Sequence, residues 1–141
     1  MKRSAIVLLT ALSLAAPASA GEKVAYLYRL HCSGCHGIDG EGSKRGRIPT
    51  FPGIVGHFAT SREGRLYLVQ VPGVANAALS DAQTAEVLNF VLQTWGNSDS
   101  ATKDFTPEEV HSLRQVHVDD IAALRQKLAT ELAKRGVSTD Y

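Results

Sequence analysis

Methionine is absent from this chain after residue 1, aromatic side chains make up only 6% of it, and almost no stretch alternates apolar and polar residues as a half-buried strand does. The missing strand pattern leaves helices as the framework. Cysteine is scarce as well: Cys32 and Cys35 are the two in the sequence, too few and too close together for the disulfide framework of a small secreted domain. Charge is balanced, with a formal net of +1, so nothing favours nucleic acid or an anionic membrane surface as a partner. At 141 residues the chain has room for one ordinary domain and is too short for a two-domain enzyme.

The first twenty residues read as an export leader: Lys2 and Arg3, an apolar run from Ala5 to Leu14, and small residues ending Ala18-Ser19-Ala20. Cleavage before Gly21 is expected, and with it a periplasmic location. The apolar run is well short of the roughly 20 residues a bilayer span needs, so no stable membrane insertion follows cleavage. Removing residues 1–20 discards two bases and no acid, which lowers the formal charge from +1 by two.

What stands out in the remainder is Cys32-Ser33-Gly34-Cys35-His36. Two thiols separated by two residues and followed at once by His form the arrangement that attaches a c-type haem. The thiols can add to the two vinyl groups on one edge of the macrocycle, and the adjacent imidazole reaches the iron from the proximal side. Ser33 and Gly34 are small enough for the backbone to pass close to the ring. Zinc would want four protein ligands, and a second close Cys or His pair is missing. A redox dithiol usually sits beside a strand-helix-strand pattern, which this sequence does not show.

Residues 22 to 96 resemble the small class I cytochromes c. The motif runs into His36-Gly37-Ile38-Asp39-Gly40-Glu41-Gly42, which resembles the glycine-rich turn that follows the family's proximal His. Ile48-Pro49-Thr50-Phe51-Pro52-Gly53 is similar to its proline segment. By that resemblance the Pro49 carbonyl accepts a hydrogen bond from the other nitrogen of His36, which orients the ring and raises its basicity. The resemblance implies an all-α fold, with three to four helices around one covalent haem c.

Helix signals agree. Val24, Leu27, Tyr28 and Leu30 suggest the inner face of a first helix entering the motif. Ser80 and Gln83 make a capping box for a helix that carries Val87, Leu88, Phe90, Val91 and Trp95 and stops near Gly96. A weaker helix is expected from Glu63 to Gln70. In the resembled family the first and last helices cross, so Tyr26 or Leu27 is expected to meet Phe90.

The distal side departs from the family pattern. Where a methionine is usual, the chain reads Gln70-Val71-Pro72-Gly73-Val74-Ala75-Asn76, and Met1 goes with the leader. That excludes His/Met ligation in the processed chain. Three alternatives stay open: His57 as a second imidazole ligand, an open site walled by Val71 and Val74, or a ligand from His111, His117 or Asn76. Lys44, Arg45, Arg47, Arg62 and Arg65 are expected near the haem edge, either pairing with propionates, steering an acidic partner, or simply solvated.

Beyond a polar hinge at Asn97-Ser98-Asp99-Ser100 comes an extension, residues 97–141, outside the minimal cytochrome. Thr106-Pro107-Glu108-Glu109 starts one helix, and Asp119 or Asp120 opens another whose stripe is Ile121, Leu124, Leu128 and Leu132. The stripe packs either on the cytochrome domain or on a partner such as a periplasmic dehydrogenase. The whole reads as a single-electron carrier between redox proteins and not an enzyme. The alternative is a haem protein whose open distal site binds a gas or supports weak peroxidase chemistry.

Overall fold

The computed structural model describes residues 20–96 and 102–139. The expected leader, apart from Ala20, and the hinge at 97–100 lie outside the described residues. Eight helical segments follow one another among the described residues: α1 Ala20–His31, α2 Ser33–His36, α3 Val55–Phe58, α4 Arg62–Gln70, α5 Pro72–Ala75, α6 Asp81–Trp95, α7 Pro107–Arg114 and α8 Ile121–Ala133. No strand occurs there, and a single antiparallel bridge joins Ser43 to Ile48. The fold is all-α. Ahead of the extension lie three longer helices, α1, α4 and α6, with the single turns α2 and α3 between the first two and α5 between the last two.

The caps account for the helix starts. Ser80 accepts from the Gln83 amide while the Gln83 side chain accepts from the Ser80 amide, so two otherwise orphaned donors at the start of α6 are satisfied together. Ser61 accepts from the Gly64 amide to open α4. Thr106 accepts from Glu109 to open α7, where Pro107 loses nothing by lacking an amide proton. The Asp120 carboxylate takes the amides of Ala122 and Ala123 at the head of α8.

Helices α1 and α6 pack together, but through a different residue from the one expected. Tyr28 is the side chain that meets Phe90, at 5.7 Å between ring centroids, and it also lies 5.0 Å from Trp95. Leu27 turns instead toward Leu79 and Val87. Tyr26 and Leu30 are each 60% exposed. They are four positions apart and share the outward face, on which a helix cannot also place Tyr28. Leu30 therefore leaves the inner face predicted for it.

Helix α4 is the hub, packing on α3, α5, α7 and α8. Tyr67, Leu68 and Val69 join Val110 and Leu113 of α7 and Leu128 and Leu132 of α8 in one buried cluster. The apolar stripe of the extension thus faces its own chain. Polar contacts reinforce the docking. Arg65 donates from Nε and Nη2 to the two Glu109 carboxylate oxygens at 2.6 Å each and from Nη1 to the Lys103 carbonyl, with its guanidinium 3.7 Å over the Phe105 ring. Arg65 is therefore committed to the extension, not to the cofactor edge where it was expected. Asn89 pairs with both backbone groups of Phe105. The exposed Lys127–Glu63 pair adds little by comparison.

Leu132 is 2% exposed, and its truncation to Ala is expected to cost about 2–5 kcal/mol in chemical denaturation, because the void cannot fully collapse. The carboxylates at this seam give the fold an acid limit. Hydrogen bonds from Arg65 hold Glu109 below its ordinary value of 4.5, against an opposing effect of burial and with help from the guanidinium charge. Burial alone would raise Asp81, but His111 and Arg114 outweigh it and lower that group too. A depressed carboxylate stabilises the fold above its unfolded pKa, and that contribution is lost as pH falls through the folded value. Stability is therefore expected to fall as pH drops below about 4.5. In urea titrations at stepped pH, Glu109→Gln should make that decline shallower.

Candidate functional site

Helix α1 runs almost unbroken into the Cys-x-x-Cys-His segment. The Cys32 amide bonds to the Tyr28 carbonyl, and the Cys35 and His36 amides then both bond to the Cys32 carbonyl, closing the single turn α2. Residues at i, i+3 and i+4 of a helical turn lie on one side, so Cys32, Cys35 and His36 project together. Both cysteines are free thiols, Cys35 exposed and Cys32 partly buried against the two apolar clusters.

The backbone must leave this turn without dragging His36 away, and three glycines make that possible. Gly37 exits at φ +78°, with the Glu41 carboxylate standing where a Cβ would be. The Tyr28 hydroxyl donates to the Gly37 carbonyl at 2.7 Å. Burial, followed by the neighbouring Cys32, Glu41 and Asp39, pushes that phenol up to about 12, so it remains a donor. Gly40, at φ +68°, packs under Phe51 and Trp95, and its carbonyl accepts from the Phe51 amide. A Cβ on Gly42 would lie 2.5 Å from the Ile48 carbonyl oxygen and 2.6 Å from that of Pro49. Only glycine lets the proline segment come this close.

That approach delivers the Pro49 carbonyl to within 3.1 Å of His36 Nδ1. The carbonyl can only accept, so Nδ1 carries the proton and Nε2 presents its lone pair. Phe51 stacks on the imidazole with ring centroids 4.1 Å apart and 16° between planes. Burial lowers the His36 pKa, which favours the neutral ring, and the Pro49 bond partly offsets this. Nε2 has no hydrogen-bond partner among the described residues.

This donor set fits a haem iron with two thioether attachments better than its rivals. Burial, with the charge of Cys35 adding to it, pushes the Cys32 thiol up to about 11, whereas reactive dithiols have lowered values. Among the described residues no group of three or more His, Cys, Asp or Glu could hold a metal ion by itself. A structural zinc site therefore has no ligand set there.

The cytochrome c family model matches residues 21–95. The chain belongs to the cytochrome c family. Two relatives, both from Thermus thermophilus, are named cytochrome c-552. One is 31% identical over 91% of this chain and 98% of its own length. The other is 32% identical over 69% of this chain and 90% of its own. No solved structure matches the chain significantly. The chain is thus an electron-transfer protein that works through haem iron. No helix among the described residues is long and apolar enough to cross a membrane.

The other residues singled out in this cytochrome are scattered. His57 sits in α3, partly buried between the buried Gly56 and Phe58, and its carbonyl accepts from the Thr60 hydroxyl. Val71 and Val74 pack against the main apolar cluster, while Asn76 is exposed. His111 and His117 are held by carboxylates at the surface, Asp81 at 3.0 Å and Asp119 at 2.8 Å, with side chains 66% and 86% exposed. Lys44, Arg45 and Arg47 project from the turn closed by the Ser43–Ile48 bridge, all exposed. The Tyr28–Gly37 bond and the Phe51 stack went unforeseen, since neither has a signal in the spacing of residues.

The glycine requirement can be tested at Gly42. Gly42→Ala forces a side chain onto two carbonyl oxygens at φ +67°. It is expected to cost about 1–3 kcal/mol by denaturant titration, the scale of such backbone strain, and to shift the His36 ring resonances by NMR as the Pro49 carbonyl is displaced.

Proposed function

We propose that this chain is an exported, periplasmic cytochrome with one haem c, joined by thioether bonds to Cys32 and Cys35, with His36 as the proximal iron ligand. It passes single electrons between redox proteins, a periplasmic dehydrogenase being the partner class that the extension suggests. The observation that carries this reading is the half-buried His36 with Nδ1 tied to the Pro49 carbonyl and Nε2 unpartnered, next to the free thiol of Cys35 and one helical turn from that of Cys32. The haem, when bound, supplies an iron that cycles between ferric and ferrous states. The protein's own part is to hold and orient. Pro49 fixes the imidazole plane and strengthens its donor character. Phe51 stacks on the His36 ring and is backed by Trp95, which in turn meets Tyr28, so the ring stays in place whichever charge the iron carries.

The residue opposite His36 defines two versions of the proposal. His57 serves as the sixth ligand in one, which makes a low-potential carrier. In the other the position is open beside Val71 and Val74, which suits binding of a small diatomic molecule, and the absence of methionine after residue 1 favours this version over His/Met ligation.

Optical and EPR spectra of the oxidised and reduced protein, with and without carbon monoxide, decide among these. A red product whose haem resists acid-acetone extraction is expected, and Cys32→Ser with Cys35→Ser should release it. A low-spin parent that becomes high-spin in His57→Ala assigns His57. A parent that binds carbon monoxide directly has the open site. A secreted, leader-free product without colour and with two titratable thiols defeats the proposal.

A further inference from the structure

The nine residues 71–79 stand where the family's methionine ligand is expected, and both ends of this segment are fastened to the same short helix of the extension. At its start, Nε2 of the Gln70 side chain donates to the carbonyls of Leu113 at 2.8 Å and Val116 at 2.9 Å. These carbonyls lie at and just beyond the carboxyl end of α7, and that of Leu113 also accepts from the Val116 amide at 3.3 Å. At its end, the Arg114 guanidinium spreads across three acceptors. Nη2 donates to the Leu79 carbonyl at 3.1 Å and to the hydroxyl of Thr84, a polar side chain only 1% exposed, at 2.9 Å, while Nη1 bonds to Asp81. Asp81 is further engaged by His111.

Between these two anchors the backbone is strained. Ala78 lies at φ +52°, one of two non-glycine residues with positive φ among those described. Such a conformation persists only when the surroundings over-determine it. The residue that follows, Leu79, is buried against Leu27 and Val87, in the cluster that also touches Cys32. A restraint on the Leu79 carbonyl therefore acts at the junction of the strained residue, the α1–α6 seam and the attachment turn.

We infer that Arg114 is a positioning residue for this segment: its three-way bond at Leu79, Asp81 and Thr84, opposed by Gln70 at the other end, holds residues 71–79 in one conformation and so sets access to the sixth iron position. This rests on the haem reading above. A planar fork is needed, because one group must satisfy a carbonyl, a hydroxyl and a carboxylate at once, which an ammonium on a flexible stem does less well.

The test uses the full-length haem-loaded protein in three variants: Arg114→Gln, Arg114→Lys, and Gln70→Ala as the milder cut at the opposite anchor. Hydrogen exchange followed by mass spectrometry should show peptides covering 72–79 exchanging about tenfold faster in Arg114→Gln, a local opening that leaves α1 and α8 at parent rates. Arg114→Lys keeps the charge opposite Asp81 yet should rescue little, and Gln70→Ala should loosen the same peptides. Cyanide binding to the oxidised protein, which a merely structural role would not alter, should become several-fold faster in step with the exchange. Parent-like exchange at 72–79, acceleration spread equally through α1 and α8, full rescue by Lys, or an unchanged cyanide rate each overturns the role of Arg114. A colourless product gives no cyanide reaction in any variant and overturns the haem reading itself.

Discussion

The hydrogen bond between His36 Nδ1 and the Pro49 carbonyl is the constraint around which the amino-terminal half of this protein is arranged. An imidazole can ligate a metal only through a free, neutral nitrogen, and its plane must be fixed if that nitrogen is to point one way. To bring a carbonyl thirteen residues downstream onto the ring, the chain has to turn sharply twice and let two stretches of backbone touch. Gly37, Gly40 and Gly42 all sit at positive φ for this reason. At Gly42 the clearance is so small that a methyl group has no room beside the Ile48 and Pro49 carbonyls. Phe51, carried in on the same segment, stacks on the imidazole and leans on Trp95, so the His36 ring and the α1–α6 crossing share one aromatic wall.

The opposite half of the molecule is organised by α4 and α7. A small cytochrome domain has little apolar surface of its own to bury, and the extension enlarges that core with Val110, Leu113, Leu128 and Leu132. The seam is selective about its polar contacts. Arg65 meets Glu109 through two parallel bonds and stacks on Phe105, an arrangement that a planar guanidinium makes and an ammonium does not. Arg114 and Gln70 then connect the same helix to both flanks of residues 71–79. That segment is thereby tied down at both ends by contacts with the extension.

The grouping of Cys32, Cys35 and His36 was legible because it is local. Cys32, Cys35 and His36 lie within one turn, so spacing alone brings them to one side, and the capping residues Ser80, Thr106 and Asp120 announce their helices for the same reason. Partner choice was less legible. Tyr26, Leu27 and Tyr28 are all apolar enough to fill a seam, and only the rotation of α1 against α6 places Tyr28 on Phe90 and leaves Tyr26 in solvent. Arg65 looked like one more loop cation until α7 docked with Glu109 facing it.

By itself, then, the amino-acid sequence determined the grouping of Cys32, Cys35 and His36, the all-helical framework and the want of any methionine after residue 1, since these depend on residue identity and on separations of a few positions. The tertiary structure decided what separations of 13 to 67 residues bring together: the carbonyl on His36, the aromatic wall behind it, and the hold of α7 on residues 71–79. Such contacts follow from the angles and heights at which helices pack, and no short pattern of residues encodes those.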